Sequence, residues 1–146
     1  MTVVVPDASV ILKWVLQGPD ESDSAQALAI LEAYLAQLID LRLPSLWRYE
    51  VANVMAIKQP TLAREAMETL LAYDLPEVSL DREYCFDVLS WMIERRGVSF
   101  YDAAYHVLAV RADGVYVTAD RTYVGRAGRR KNVVWLSEWT APGRRR

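Results

Sequence analysis

Short apolar runs alternate with longer amphipathic segments along most of the chain. Residues 3–5 predict a short buried strand, whereas apolar positions near helical spacing predict helices over residues 9–16 and 22–40. Further strands are predicted at residues 41–43, 77–80, 115–118 and 133–136, and further helices at residues 46–58, 61–72, 82–96, 99–112 and 121–126. Strands separated by helices need crossover connections. The pattern therefore favours an α/β fold, a three-layer α/β/α sandwich with a mostly parallel central sheet.

Length and composition agree with one folded unit. A chain of 146 residues with 53% hydrophobic and 25% charged residues is typical of a globular protein. We expect a single domain over residues 1–138 and a basic C-terminal tail over residues 139–146. No apolar run reaches about 18 residues, and the start lacks the basic segment of a signal peptide, so no membrane association is expected. The single cysteine, Cys85, excludes an internal disulfide and fits a cytoplasmic protein.

Charge is distributed unevenly along the sequence. The net charge of −2 excludes an argument for nucleic-acid binding from overall charge alone. Between residues 121 and 146, however, eight basic side chains stand against a single acidic one, Glu138. This asymmetry favours an anionic partner for the C-terminal stretch, although a solubilising role is at least as good an interpretation of residues 144–146.

Acidic residues stand where an α/β sheet usually collects its ligands. Asp7 follows the first predicted strand and Asp120 follows the strand at 115–118, whereas Asp102 and Glu50 lie near the starts of two predicted helices. The carboxyl ends of parallel strands share one edge of a sheet, so these side chains, hereafter the four acids, are expected to converge there. The alternatives are structural: Asp7 and Asp120 could cap helices, Ser99 and Asp102 have the spacing of a capping box, and Glu50 could lie on a solvated face.

Capping does not account for all of these acids. Glu50 shares a helix face with Leu46 and Val54, which favours a packed position. Carboxylates brought together would raise one another's pKa unless a cation neutralised them. One cysteine and one histidine cannot form a zinc set, so an all-oxygen site predicts a hard ion, Mg²⁺ or Mn²⁺. Such ions in acidic sites typically serve phosphoryl chemistry.

The segments around the acids resemble a known family. In order, VVPDASVILKW, PSLWRYEVANVM, SFYDAAYHVLA and VYVTADRTYVGRAG resemble the four acidic motifs of PIN-domain ribonucleases, and among these the VapC toxins of toxin–antitoxin pairs most closely. The likeness extends from residue 3 to about residue 136. It implies that the four acids are the catalytic and metal-binding residues and that polar neighbours support them, namely Ser9, Asn53 and Thr118. For Asn53, ordinary helix-surface polarity is an equal alternative.

The resemblance also implies an activity and partners. The expected activity is Mg²⁺- or Mn²⁺-dependent hydrolysis of RNA phosphodiester bonds, leaving 5′-phosphate and 3′-hydroxyl ends, by the toxin of a type II toxin–antitoxin system. The expected partners are RNA, a second copy of the chain in a homodimer, and a small cognate VapB-like antitoxin. Two departures matter. Only Lys58 follows the second motif before Pro60, and no further acid occurs between Asp120 and Glu138, which leaves a second metal ion in doubt. Phosphate contacts are therefore assigned to the basic residues near the C-terminus, Arg121, Arg126, Arg129 and Arg130.

Other interpretations remain open from the sequence. A PIN-like module that binds RNA or protein without catalysis is the main alternative, and an aspartyl phosphotransfer domain is a weaker one, since Asp7 is a lone early acid and Lys131 lies in an arginine-rich run. His106, one turn after Asp102, could shuttle protons but is better interpreted as a helix residue near the core. Five tryptophans could stack on bases, although apolar neighbours favour core or dimer-interface positions: Trp14, Trp47, Trp91, Trp135 and Trp139.

Overall fold

Helices and strands alternate along the chain as the hydrophobic pattern predicts. A computed structural model describes residues 1–16, 22–127 and 132–143. The strands in these parts are β1 (Val3–Pro6), β2 (Asp40–Leu41), β3 (Leu43–Pro44), β4 (Glu77–Val78), β5 (Val115–Thr118) and β6 (Val133–Trp135). The helices are α1 (Ala8–Val15), α2 (Ser24–Leu35), α3 (Trp47–Lys58), α4 (Ala63–Ala72), α5 (Arg82–Glu94), α6 (Phe100–Arg111) and α7 (Arg121–Ala127). A 3₁₀ turn, Leu136–Glu138, follows β6.

Four parallel strands form the main sheet, in the order β2-β1-β5-β6. All four residues of β1 are buried, as is typical of a parallel strand that is covered on both faces. Helices α1 and α6 both pack against β1 and β5. The predicted three-layer α/β/α sandwich with a mostly parallel central sheet is therefore confirmed.

The region after α2 departs from the prediction. A single strand at residues 41–43 is wrong, because the chain changes sheets at Arg42. The Arg42 N–H still bonds to the Val4 carbonyl at 3.1 Å, whereas the Leu43 N–H bonds to the Pro76 carbonyl at 3.0 Å. Strand β3 consequently pairs in parallel with β4 in a separate two-stranded sheet. The strand predicted at residues 77–80 is observed only over Glu77–Val78, as β4, and it lies outside the main sheet.

The predicted helix over residues 22–40 is also too long. Helix α2 ends at Leu35 because Gln37 adopts a left-handed conformation (φ 59°) and the Leu38 N–H bonds back to the Ala33 carbonyl at 2.9 Å. Because the helix ends there, Ile39 lies in the core, where it is almost fully buried. The other predicted helices agree with the observed ones to within two residues at each end.

Helix α6 is the buried helix of the fold and leads directly into β5. Residues 103–109 are all buried, so this part of the helix is covered on every side. The turn that follows needs Gly114, because a Cβ atom there would lie 2.4 Å from the carbonyl oxygen of Val3. This close approach fixes the start of β5 against β1, and so fixes the register of the two strands that end at the acids.

The end of the described chain packs on the same core. Trp139, at the start of the predicted tail, is buried, whereas residues 144–146 lie outside the described residues. The division at residue 138 stays a prediction. Within the described ranges, no helix has both the length and the apolar character needed to cross a membrane.

Candidate functional site

Asp7 lies at the carboxyl end of the central strand β1 and its side chain is 7% exposed. Its residue occupies the N-cap position of α1, and its carbonyl accepts the N–H groups of Val10 and Ile11. The carboxylate, however, makes no capping bond to the helix. Its Oδ2 instead accepts hydrogen bonds from Ser9 Oγ at 2.6 Å and from Thr118 Oγ1 at 3.2 Å. The Asp7 side chain therefore does not act as the cap of α1, and its two hydrogen bonds to hydroxyl groups hold it instead.

The two hydroxyls that hold Asp7 also connect β1 to the end of β5. Thr118 Oγ1 accepts the N–H of Asp120 at 3.0 Å, and Ser9 Oγ accepts the N–H of Ala119 at 3.2 Å. The N–H of Asp7 completes the connection by donating to the Val117 carbonyl at 2.9 Å. The carboxyl ends of the two central strands are thus joined through side chains as well as through the sheet.

Asp120 and Asp102 occupy helix starts beside these strand ends. The exposed Asp120 caps α7, since its Oδ1 accepts the Tyr123 N–H at 3.1 Å. Asp102 lies in the first turn of α6, and its own N–H donates to the capping residue Ser99 at 3.2 Å. Capping therefore accounts for one oxygen of Asp120 and for the backbone N–H of Asp102.

Glu50 lies in the first turn of α3 and is partly buried. Within the described residues, its Oε1 is buried without a hydrogen-bond partner. The Tyr105 hydroxyl, likewise buried and without a hydrogen bond of good geometry, faces it closely enough for each group to shift the other's pKa. A solvated-face position for Glu50 is excluded by this burial. Asn53, one turn further along, is exposed, and it lines a surface cleft together with Glu50.

The acids influence one another electrostatically. Burial, then the charge of Asp7, and to a smaller extent Asp102, raise the pKa of Glu50 to about 7. Burial and the charge of Asp7 also raise the pKa of Asp102, with a further contribution from Asp120. Burial raises the pKa of Asp7 despite the opposing hydrogen bonds from Ser9 and Thr118. Asp7, Asp102 and Asp120 thus each lie close enough to another of the four acids for their charge to raise its pKa.

Two buried tyrosines belong to this site and were not predicted from the sequence. Tyr105 faces Glu50, and Tyr116 lies beside Asp7. Burial and the nearby carboxylates raise the pKa of both phenols, so both carry neutral hydroxyls. Spacing could have identified them: Tyr116 lies two residues before Thr118 on the same strand face, and Tyr105 lies one helical turn after Asp102.

His106 is fully buried in an aromatic cluster. Its Nδ1 lies 2.7 Å from the Tyr123 hydroxyl, and its ring centroid lies 4.5 Å from that of Trp91 and 5.6 Å from that of Tyr116. A proton shuttle needs access to substrate and solvent, which this position does not give. The core interpretation therefore describes His106, and its contact with Tyr123 ties α6 to α7.

The tryptophans follow the core interpretation for the most part. Trp14, Trp47 and Trp139 are buried, and Trp14 donates its indole N–H to the Ala27 carbonyl at 2.7 Å. Trp91 and Trp135 are partly exposed, and each lies beneath an arginine: Arg95 at 3.5 Å and Arg121 at 4.9 Å from the ring centroid. Trp91 and Trp135 are therefore the two tryptophans that are not classed with the buried core.

Two of the four arginines predicted to contact RNA lie within the described part of the chain. Arg126 is exposed and donates from Nη1 to the Gly97 carbonyl at 3.2 Å, two residues before the N-cap of α6. Arg121 is exposed above Trp135. Arg129 and Arg130 lie outside the described residues. The structure thus places one predicted basic side chain, Arg126, beside the loop that leads to Asp102.

Residues 4–128 match the family model of the PIN domain. The chain belongs to the PIN domain family. No protein of curated function matches the sequence significantly. Among solved structures, this PIN domain is similar to the toxin VapC20 of Mycobacterium tuberculosis, described as cleaving the sarcin–ricin loop, with 11% identity, a TM-score of 0.62 and coverage of 84% of this chain and 95% of that one.

Two further structures share the fold. VapBC2 from Rickettsia felis, bound to a DNA fragment from its promoter, matches with 14% identity and a TM-score of 0.65 over 92% of this chain and 97% of that one. FitAcB from Neisseria gonorrhoeae matches with 13% identity and a TM-score of 0.64 over 93% and 99%. At these identities the likeness establishes the PIN fold and nothing finer.

The donor set of this PIN domain fits a hard divalent cation. Its donors are carboxylate oxygens, which Mg²⁺ and Mn²⁺ prefer, and the unpaired Glu50 Oε1 supplies a buried oxygen that a cation would satisfy. Within residues 1–16, 22–127 and 132–143, however, no three histidine, cysteine, aspartate or glutamate side chains are arranged to hold a metal ion together. Of the four acids, Asp7 is held by two hydroxyl groups, those of Ser9 and Thr118.

Proposed function

We propose that this PIN domain is a Mg²⁺- or Mn²⁺-dependent endoribonuclease that acts as the toxin of a type II toxin–antitoxin pair. The observation that carries the proposal is the burial of Asp7 beside the partly buried Glu50 and Asp102, which lie close enough to it for its charge to raise the pKa of both. A fold that only needed stability would gain nothing by burying one carboxylate beside two others. A bound divalent cation would offset this unfavourable arrangement.

The side chains have distinct roles in this proposal. The four acids would hold the cation, which supplies activation of water and stabilisation of charge at the scissile phosphate. Ser9 and Thr118 fix the rotamer of Asp7, so that one carboxylate in the site does not have to be ordered when the substrate arrives. The neutral hydroxyl of Tyr105 faces Glu50 and can donate to it once Glu50 is ionised. The proposed products carry 5′-phosphate and 3′-hydroxyl ends.

Arg126 is the described basic residue best placed to contact the RNA backbone. It is exposed and its guanidinium lies at Gly97, in the loop that precedes Asp102. An arginine in this position attracts phosphate without reading sequence. Arg121 is a second exposed cation on the same helix, α7. Arg129 and Arg130 are proposed for the same role from the sequence alone.

The partners follow from the same assignment. The similar structures are named as VapC, VapBC and Fit proteins, and this supports a small VapB-like antitoxin as the inhibitor of this chain. A homodimer is proposed from the sequence resemblance alone. The aspartyl phosphotransfer alternative is set aside, since the chain belongs to the PIN domain family. The non-catalytic PIN module remains a second candidate, because the described acids do not form a closed metal group.

One experiment separates the two candidates. Purified protein is incubated with total RNA in Mg²⁺, in Mn²⁺ and in EDTA, and the new ends are mapped. We expect cleavage only with a divalent cation, and its loss in Asp7→Asn and Asp102→Asn with unchanged circular dichroism. Glu68→Gln, an exposed acid on α4, is the matched control and should cleave like the wild type. Absence of cleavage by the wild type with every divalent cation would favour the non-catalytic module.

A further inference from the structure

Two exposed tyrosines flank the acidic site. Tyr49 is 80% exposed and Tyr101 is 58% exposed, whereas Tyr105, Tyr116 and Tyr123 are buried. Tyr49 and Tyr101 line a single cleft of about 470 Å³ together with Glu50 and Asn53. The cleft therefore combines two accessible aromatic rings with an acid of the site.

The two tyrosines hold equivalent places relative to the acids. Tyr49 immediately precedes Glu50 in the first turn of α3, and Tyr101 immediately precedes Asp102 in the first turn of α6. Neighbouring residues on a helix point in directions about 100° apart, so each acid can turn into the site while its tyrosine remains in solvent. Because both helices are anchored in the core by buried residues, the separation between rings and acids is fixed by the backbone.

The chemistry of the cleft selects the part of a nucleotide that it can hold. The carboxylate of Glu50 repels phosphate groups, whereas the tyrosine rings offer flat apolar faces. Aromatic rings of this kind stack on nucleobases of any sequence. In an RNA duplex the bases are already stacked on one another, so only unpaired nucleotides can use such rings.

We propose that Tyr49 and Tyr101 form a base-stacking pair that holds unpaired nucleotides against the acidic site. This inference rests on the proposed ribonuclease function. The exposed amide of Asn53, in the same cleft, is placed to hydrogen-bond a base edge or a ribose hydroxyl. The tyrosines are positioning residues that bind substrate, and they take no part in bond cleavage.

The test compares two oligonucleotides that differ only in their bases. Fluorescence anisotropy in Ca²⁺ measures binding of a single-stranded RNA and of an abasic oligonucleotide with the same number of phosphates. We expect the wild type to bind the base-bearing strand at least about fivefold more tightly than the abasic one, because stacking acts only on bases. Tyr49→Ala and Tyr101→Ala should lose most of this difference, whereas Tyr49→Phe should keep it.

Ile57→Ala is the matched control, since Ile57 is a 72% exposed side chain on the same helix as Tyr49 and lies outside the cleft. It should bind both oligonucleotides like the wild type. Equal binding of the two oligonucleotides by the wild type, no measurable binding of either, or a full difference retained in both alanine variants would each overturn the proposal. In the last case the rings would be assigned to a protein contact.

A second measurement separates this inference from the proposed function. A duplex of the same sequence should compete at least about tenfold less well than the single strand for the wild type, and equal competition would contradict the inference. Neither assay depends on hydrolysis, so a failure of cleavage does not decide them. Where cleavage occurs, Tyr49→Ala should raise KM with little change in kcat, and a fall in kcat at unchanged KM would overturn the positioning role.

Discussion

Thr118 connects Asp7 to Asp120 through a single hydroxyl. Its Oγ1 donates to Asp7 Oδ2 at 3.2 Å and accepts the backbone N–H of Asp120 at 3.0 Å. Thr118 itself is fully buried. One side chain therefore holds the carboxylate of Asp7 and the backbone of Asp120. Substitution of Thr118 tests how far the site depends on the fixed orientation of the Asp7 carboxylate.

Thr118→Val keeps the shape of the side chain and removes the hydroxyl. We expect the variant to lose about 1–2 kcal/mol of unfolding free energy, because a buried carboxylate and a partly buried N–H each lose a partner. The pKa of Asp7 should rise further, since the Thr118 bond opposes the effect of burial. The cleavage activity should therefore fall about tenfold or more at neutral pH and recover partly at higher pH.

Urea unfolding and a pH–rate profile check this prediction. Thr69→Val is the control, because its hydroxyl donates to the Glu65 carbonyl on an exposed helix face, far in sequence from the acids. A Thr118→Val profile that coincides with the wild type would mean that Asp7 does not depend on this bond.

The raised pKa of Glu50 predicts how the stability of the metal-free protein depends on pH. The pKa of Glu50 rises from the ordinary value of 4.5 to about 7 in the folded protein. The folded state therefore binds the Glu50 proton more tightly than the unfolded state, and stability falls as the pH rises from about 4.5 through about 7. The raised pKa values of Asp7 and Asp102 act in the same direction.

Glu50→Gln removes this charge at nearly constant volume. In EDTA at pH 8 the variant should be more stable than the wild type by about 1–2 kcal/mol, allowing for solvent screening of a partly buried group. At pH 5 the two should differ little. Denaturant titrations at both pH values measure the effect, with Glu68→Gln as the surface control. A wild type whose stability rises between pH 5 and pH 8 would contradict the assignment.

The sequence predicts the sheet well because its strands are buried runs with distinct boundaries. Val3–Pro6 and Val115–Thr118 are largely buried, pair with each other and are each followed within two residues by an acid, so pattern and topology together indicate the edge where Asp7 and Asp120 lie. The change of sheet at Arg42 could not be predicted in this way. Nothing local distinguishes one three-residue strand from two two-residue strands whose partners, β1 and β4, are distant in sequence.

The site shows the same division between local and long-range information. The position of Asp7 follows from the strand before it, and the contact with Ser9 lies within two residues. The contacts of Tyr105 with Glu50 and of Tyr116 with Asp7 depend on how α3, α6 and β5 meet in space. Apolar patterns assign both tyrosines to the core, and only the packed structure shows that their hydroxyls face the acids.

A divalent cation should stabilise the protein in a pH-dependent way. Because ionised carboxylates bind the cation and protonated ones do not, Mn²⁺ should raise Tm by several degrees at pH 8 and by much less at pH 5.5. Asp7→Asn should lose most of the shift, whereas Glu68→Gln should keep it. Tryptophan fluorescence during a Mn²⁺ titration provides a second readout. Equal shifts of Tm in all three proteins would place the cation elsewhere on the surface.

Arg126→Ala tests the proposed contact with the RNA backbone. Arg126 is exposed, and its guanidinium is held beside Gly97 at the entrance to α6. A phosphate contact there should contribute about one unit to the slope of log affinity against log salt, so the variant should bind RNA more weakly with a slope reduced by about one. Arg64→Ala, an exposed arginine on α4, is the control and should leave the slope unchanged. The measurement is anisotropy with a single-stranded RNA over a range of KCl concentrations. An unchanged slope in Arg126→Ala would assign the phosphate contact to Arg121 or to the predicted residues Arg129 and Arg130, each of which the same titration can test.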